Sequence, residues 1–177
     1  DGKAQELSDA LKRFSLYSMQ QYRTRYLLAR LAQHVDLAFS GVKVPGSLEP
    51  YTTLEIEHIL PDTPTDELRA AWAAGNPDAV YDDYKTRLGN LTLLEKPHNI
   101  IAGNNFYTEK LKIYRDCNNY LTRSMAELAT IGQNSSVSRI NEKLAAFPTW
   151  DAAAIDKRHT LLMALAQDIW KTNAIDA

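Results

Sequence analysis

The sequence predicts a mainly α-helical protein built around a small two-stranded antiparallel sheet. Three observations carry that expectation. Segments toward both ends repeat apolar residues every three or four positions, the period of a helix with one buried face. Two short apolar runs, Leu54-Glu55-Ile56-Glu57-His58-Ile59-Leu60 and Leu91-Thr92-Leu93-Leu94, have the length and punctuation of strands. Between them lies an excursion of helical character, broken at Gly75-Asn76-Pro77.

Taken in order, residues 4–14 read as a short helix and residues 18–39 as a longer one. In the second, Tyr22, Tyr26, Leu27, Ala29, Leu31 and Val35 form a broad apolar stripe, and Ser40-Gly41 supplies the stop. Arg23, Arg25 and Arg30 lie mostly off that stripe. A solvated helix face is the simpler reading of them and a phosphate-contacting strip the sharper one. Residues 41–51, with Pro45, Gly46 and Pro50, read as a loop, and residues 52–58 as the first strand.

Asp62-Thr63-Pro64 then reads as a helix start: Thr63 as cap, Pro64 at the first helical position, Asp66 in the first turn. That helix turns Leu68, Ala71 and Trp72 inward. A further helix over 79–88 leads to a Gly89-Asn90 turn, so residues 63–88 form a helical insertion between paired strands. After the second strand come helices over 98–102, ended or kinked by Gly103, and over 107–120, with Leu111, Ile113 and Tyr114 buried. On the latter, Lys110, Lys112 and Arg115 make the densest basic patch near the strands. Helices over 122–131 and 137–146 flank Gly132 and the turn that follows it. Pro148 precedes a last helix over 151–171, with Ile155, Leu162, Leu165, Ala166, Ile169 and Trp170 facing a core.

Composition narrows the classes. A chain of 177 residues is long enough for one domain with its own core, and 45% hydrophobic with 24% charged residues is ordinary for a globular protein. No apolar run approaches the roughly 20 residues of a membrane span, and the first residues lack a signal-peptide pattern. The chain does not start with Met, which suggests a fragment of a larger protein. Cys117 is the only cysteine, so an intrachain disulfide and a Cys-rich zinc site are both excluded, and a reducing cytoplasm is the expected setting. No His-Glu-x-x-His segment and no Gly-rich phosphate loop occurs. The formal net charge of -2 is unlike that of a free-standing DNA binder. Action on DNA would need a local basic face or another domain that delivers the DNA.

The polar residues of the two runs carry the chemistry. A carboxylate, a histidine and asparagines suit a hard divalent cation with a general base. Each residue also has a plain structural reading: Glu57 and His58 as a hydrogen-bonded pair, Asn90 as a turn residue, Asn99 as a helix cap, Asn104-Asn105 as a helix end and the next cap. In a regular strand, neighbouring side chains point to opposite faces, so Glu57 and His58 could share a site only if the chain leaves β geometry near His58.

Taken together these residues resemble a family. Glu57-His58-Ile59-Leu60-Pro61, then Gly89-Asn90-Leu91-Thr92-Leu93-Leu94, then Asn99 with Asn104, resemble the HNH or His-Me finger nucleases. The closer resemblance is to the C-terminal nuclease domain of GmrSD-type (type IV) restriction enzymes and related phage-defence proteins. A tail with Trp150, Ile155, Arg158, Leu161 and Trp170 extends it over most of the chain. The resemblance implies a metal-dependent DNA endonuclease. Its ββα-metal core, residues 52–105, is embedded in a helical domain, with residues 1–41 and 106–177 as helical flanks. His58 would be the general base and Asn90 the brace of its loop. Glu57, Asn99 and Asn104 would serve one Mg²⁺ or Mn²⁺. The family more often has Asp where this chain has Glu57, so the longer side chain reaches the ion directly or through water. DNA contacts are expected from Lys96, His98, Lys110, Lys112 and Arg115. An NTPase-like sensor domain is the implied partner. A non-catalytic DNA- or protein-binding module on a degenerate fold of the same kind is the alternative.

Overall fold

A computed structural model describes residues 2–130, 132–133 and 135–172. It is mainly helical, with one two-stranded antiparallel sheet. The amphipathic N-terminal segments form α1 (Gly2–Lys12) and α2 (Gln21–Ser40), joined by a 3-10 turn at Leu16–Ser18. Gly41 closes α2 in the left-handed conformation, with φ of 70°, as its lack of a side chain allows. Pro50 opens a single turn, α3 (Glu49–Thr52), where a loop is expected from sequence. The first strand therefore starts later than Thr52, as β1 (Glu55–His58). It pairs with β2 (Leu91–Leu94), placing Glu57 opposite Thr92 and His58 opposite Leu91.

The insertion contains α4 (Asp66–Gly75), α5 (Tyr81–Lys85) and a 3-10 turn at Leu88–Asn90. The helix start differs from the expected one. Thr65, not Thr63, is the cap, its hydroxyl accepting from Leu68 N at 3.2 Å, and Pro64 precedes the helix. Leu68 and Trp72 are buried as expected; Ala71 is exposed. After β2 come α6 (Lys96–Ala102), α7 (Tyr107–Tyr114), α8 (Tyr120–Arg123), α9 (Ser135–Asn141) and the long α10 (Ala152–Thr172). The helices expected over 107–120, 122–131 and 137–146 are thus each shorter. Ile131 and Asn134, the expected helix end and turn residue, lie outside the described residues, as do residues 173–177.

Three apolar clusters hold these elements together. The largest joins the inner faces of α1, α2 and α10 to Leu88, Leu91 and Leu93. A second, with Ile59, Leu94, Tyr114, Cys117 and Phe147, lies beneath the sheet and α7. A third, with Leu60, Leu68, Trp72, Tyr81 and Ile155, anchors the insertion. β2 is buried along its whole length, which explains its nearly continuous apolar sequence; Thr92, its one polar residue, shares a hydrogen bond with Thr122.

Tyr22 and Tyr26 depart from the expected stripe. The buried face of α2 runs through Thr24, Leu27, Leu28, Leu31, Ala32 and Val35, and both tyrosines stand in solvent beside it. Helical spacing puts them near the stripe, but the packed face is turned away from them and takes in Ala29 and the polar Thr24 and Gln33 instead.

Candidate functional site

The site is built where β1 ends. His58 is the last residue of the strand, and the next four residues are pinned from the insertion, by Asn90, Tyr81 and Lys85. Ile59 N donates to Asn90 O at 3.0 Å, continuing the ladder by one bond. Leu60 N donates to Asn90 Oδ1 at 2.7 Å, and Asn90 Nδ2 donates back to Leu60 O and to Lys85 O, each at 2.9 Å. Trp150 Nε1 donates to the same Asn90 Oδ1 at 3.0 Å. Tyr81 OH donates to Pro61 O at 2.6 Å, and Lys85 Nζ to Asp62 O at 2.9 Å. Asn90 is fully buried, and both ends of its amide are satisfied. It does more than turn the chain: it copies a backbone pairing onto the segment that leaves His58.

The Asn90 turn is itself held from α10. Arg158, buried, donates to Gly89 O at 2.8 Å and Leu91 O at 2.6 Å. A Cβ on Gly89 would fall 2.2 Å from Ile155 O and 2.8 Å from His159 N, so only glycine lets the turn lie on this helix.

A cavity of about 220 Å³ opens at this point. Ile56, Glu57, His58, Pro61, Asp62, Thr63, Asn99, Gly103 and Asn104 line it. Glu57, His58, Asn99 and Asn104 thus line one cavity. The chain does not leave β geometry at His58 as a shared site would require: pairing runs on to Ile59, so the Glu57 and His58 side chains leave β1 on opposite faces, Glu57 toward Lys110 and Tyr114. His58 Nε2 is buried and has no hydrogen-bond partner among the described residues. Burial pushes the His58 pKa down; the nearby Lys110 and Lys85 charges add to this, and Asp62 opposes it. Neutral imidazole is thereby favoured.

Glu57 is nearly buried. Its Oε1 accepts from Lys110 Nζ at 2.7 Å and from Tyr114 OH at 2.6 Å. Lys110 Nζ also donates to His58 O at 2.7 Å. Burial raises the carboxyl pKa, and the Lys110 contact opposes that rise; burial lowers the ammonium pKa, and Glu57 opposes that fall. Lys110, at 0% exposure, cannot stand on a DNA-facing surface as expected. Its neighbours explain why: α7 turns Lys110 and Tyr114, four positions apart, onto the face that meets β1. Lys112 is exposed and paired with Glu109, and Arg115 is exposed. Lys96 is exposed at the start of α6. His98 does not line the cavity; its Nδ1 sits 3.1 Å from Glu95 Oε2. The roles of Tyr114, Trp150 and Arg158 as supports escape sequence reading, because each acts through a contact far along the chain.

Over residues 1–165 the chain matches the family described as GmrSD restriction endonucleases, C-terminal domain. It belongs to that family. No curated protein and no solved structure matches it. Membership places this GmrSD C-terminal domain among restriction endonucleases, for which DNA is the implied substrate. Among the described residues, no helix is long and apolar enough to cross a membrane.

The donors of this GmrSD domain decide what ion its cavity suits. Among the described residues, no three His, Cys, Asp or Glu side chains cluster as a metal cage. The cavity offers instead carboxylate oxygens of Glu57 and Asp62 and amide oxygens of Asn99 and Asn104. Glu57 Oε1 is already engaged, leaving Oε2. Few protein oxygens and a cavity of about 220 Å³, roomy enough for several waters, match a hard cation that keeps most of its hydration, and they do not match zinc.

Proposed function

We propose that this GmrSD C-terminal domain hydrolyses DNA phosphodiester bonds with His58 as general base and one Mg²⁺ or Mn²⁺ held by Glu57 and Asn99, with Asn104 beside them. The observation that carries the reading is the buried, unpartnered Nε2 of His58, in a cavity that Glu57, Asn99 and Asn104 also line. A buried nitrogen left without a partner costs stability unless something occupies it in use. Here the attacking water would fill that role. The lowered pKa keeps His58 ready to take the proton from that water near neutral pH. A bound cation would act as the Lewis acid that stabilises the leaving alkoxide. Asn90, through the two Leu60 bonds, keeps the His58 segment in one conformation as the proton moves. Lys110 and Tyr114 hold Glu57, and Lys110 ties it to the His58 carbonyl. On this reading β1, β2 and α6 are the ββα-metal core, and Lys96, His98, Lys112 and Arg115 face the DNA. A sensor domain of NTPase type would deliver that DNA in the cytoplasm.

Plasmid nicking tests the proposal. The parent protein should nick supercoiled DNA with Mg²⁺ or Mn²⁺ and stop in EDTA, and His58→Ala should nick far more slowly while still folded. Undiminished nicking in EDTA would remove the metal from the account. No nicking under any condition would leave a DNA- or protein-binding module on the same fold.

A further inference from the structure

The N-terminal end of α2 and the 3-10 turn before it expose three aromatic rings in ten residues. Tyr17 is 72% exposed, Tyr22 64% and Tyr26 49%. Two surface depressions alternate with them. One, of about 480 Å³, is lined by Tyr17, Ser18, Met19, Gln20 and Arg23; the other, of about 430 Å³, by Gln21, Tyr22, Arg25, Tyr26 and Thr52. Neither is lined by a carboxylate. Arg23 lies over the Tyr22 ring, 5.7 Å from its centroid, and its Nε donates to Tyr22 OH at 3.1 Å. Arg25 is 3.6 Å from Glu55 on β1. At the other end, Tyr17 OH reaches Asp62 Oδ1 at 3.5 Å, and Asp62 lines the His58 cavity. Tyr17, at one end of the strip, therefore touches a residue of the cavity lining.

We propose that this strip binds an unpaired stretch of the DNA strand that enters the His58 cavity, bases stacking on Tyr17, Tyr22 and Tyr26 and phosphates meeting Arg23 and Arg25. The inference rests on the nuclease reading only for the destination of that strand. Exposed aromatic rings interleaved with cations are the chemistry of single-strand binding, because every base has a face to stack and every link a phosphate. Paired bases in a duplex keep their faces covered and have no use for such a strip. Arg23, exposed, gives the strip its positive charge, while Arg25 shares its charge with Glu55 on β1. A protein partner could use tyrosines too, but it would not explain why the strip runs to Asp62 at the cavity mouth.

Binding of a fluorescein-labelled oligothymidylate, read by anisotropy in EDTA with the His58→Ala protein, tests this without cleavage. Tyr17→Ala, Tyr22→Ala and Tyr26→Ala should each weaken binding about 5-fold to 100-fold, the alanine-scan worth of a stacked base. The matching Tyr→Phe variants should bind as the parent does, and duplex binding should change little. These side chains are exposed, so circular dichroism and melting should be unchanged. With Mg²⁺ and intact His58, a duplex carrying an unpaired flap should be cut faster than a plain duplex, and the triple alanine variant should lose that preference. Parental oligothymidylate binding by the folded triple variant would overturn the proposal. So would Tyr→Phe variants as weak as the alanine ones. If duplex is nicked with no preference for the flap, the strip proposal falls and the nuclease reading stands. If no substrate is cut yet oligothymidylate binding depends on the tyrosines, the nuclease reading falls and the strip remains a single-strand binding surface.

Discussion

At the scale of single residues, His58 and the Glu57–Lys110 pair are opposite cases of burial. His58 has a nitrogen left over; Glu57 and Lys110 are matched to each other. With its pKa lowered, His58 should be neutral and competent at lower pH than a free imidazole. The cleavage rate should rise with pH, level off, and show its step below the ordinary value of about 6.5. His58→Ala should erase that step and cost roughly 10²-fold to 10⁴-fold in rate. A pH–rate profile with no ionisation under 7 in the parent, or the same profile in the variant, would count against the base assignment. The same shift sets a stability trend. Below the unfolded value the unfolded chain binds a proton that the native histidine resists, so this group lowers stability as pH falls. Lys110 works differently. Lys110→Ala leaves the buried Glu57 carboxylate without its counter-ion and the His58 carbonyl without its donor, and should cost about 3–5 kcal/mol, read by urea unfolding. A loss under about 1 kcal/mol, the worth of an exposed pair, would mean that water reaches Glu57.

At the scale of elements, the site depends on how the Leu88–Asn90 turn sits on α10. Asn90 places the His58 segment, Gly89 permits the close approach, and Arg158 bonds the turn from the helix. Gly89→Ala should push the turn off α10 and cost at least about 1–3 kcal/mol, the usual cost of forcing an extra methyl into a packed region. Activity should fall with it at every metal concentration, because Asn90 moves. Thermal melting and nicking measured together check this; a variant of parental stability and activity would show that the helix yields easily. Asn90→Ala should likewise leave buried groups of Leu60, Lys85 and Trp150 unpaired, at about 1–3 kcal/mol. The Gly89-Asn90 pair is legible in sequence as a turn, and β2 as a strand, because both signals are local. The packing of that turn on α10 is not, since Ile155 and Arg158 carry no mark of the turn they touch. The same limit hides Lys110, whose charge reads as surface until Glu57 and Tyr114 are seen around it. Thr63 and Pro64 mislead by two residues for a smaller reason: a capping residue and a proline announce a helix start without fixing which of several neighbours takes it, and here Thr65 does.

At the scale of the whole molecule, charge sets how DNA is held. A net charge of -2 gives no long-range attraction for a duplex, and one of the basic residues expected to supply it, Lys110, is spent inside. Lys96, Lys112 and Arg115 remain exposed around α6 and α7. Lys112 is shared with Glu109, which weakens its claim on a phosphate. The isolated domain should therefore bind plain duplex only weakly, at or beyond the roughly 10⁻⁴ to 10⁻⁶ M of non-specific binders at physiological salt. Each phosphate that a substitution leaves without its cation should lower the slope of log affinity against log salt by about 0.9. Alanine at Lys96 and Arg115 together should thus flatten the salt dependence by close to twice that amount, whereas alanine at Lys112 should change it less. Sub-micromolar duplex binding, or a salt slope unchanged by these substitutions, would show that the duplex lies on another face. If duplex binding is weak as expected, cleavage by the proposed site would follow delivery of the DNA. Fusing a non-specific duplex-binding domain to the chain should accordingly raise the nicking rate at low DNA concentration and leave the rate at saturation unchanged. A higher rate at saturation would place the control in the active site instead.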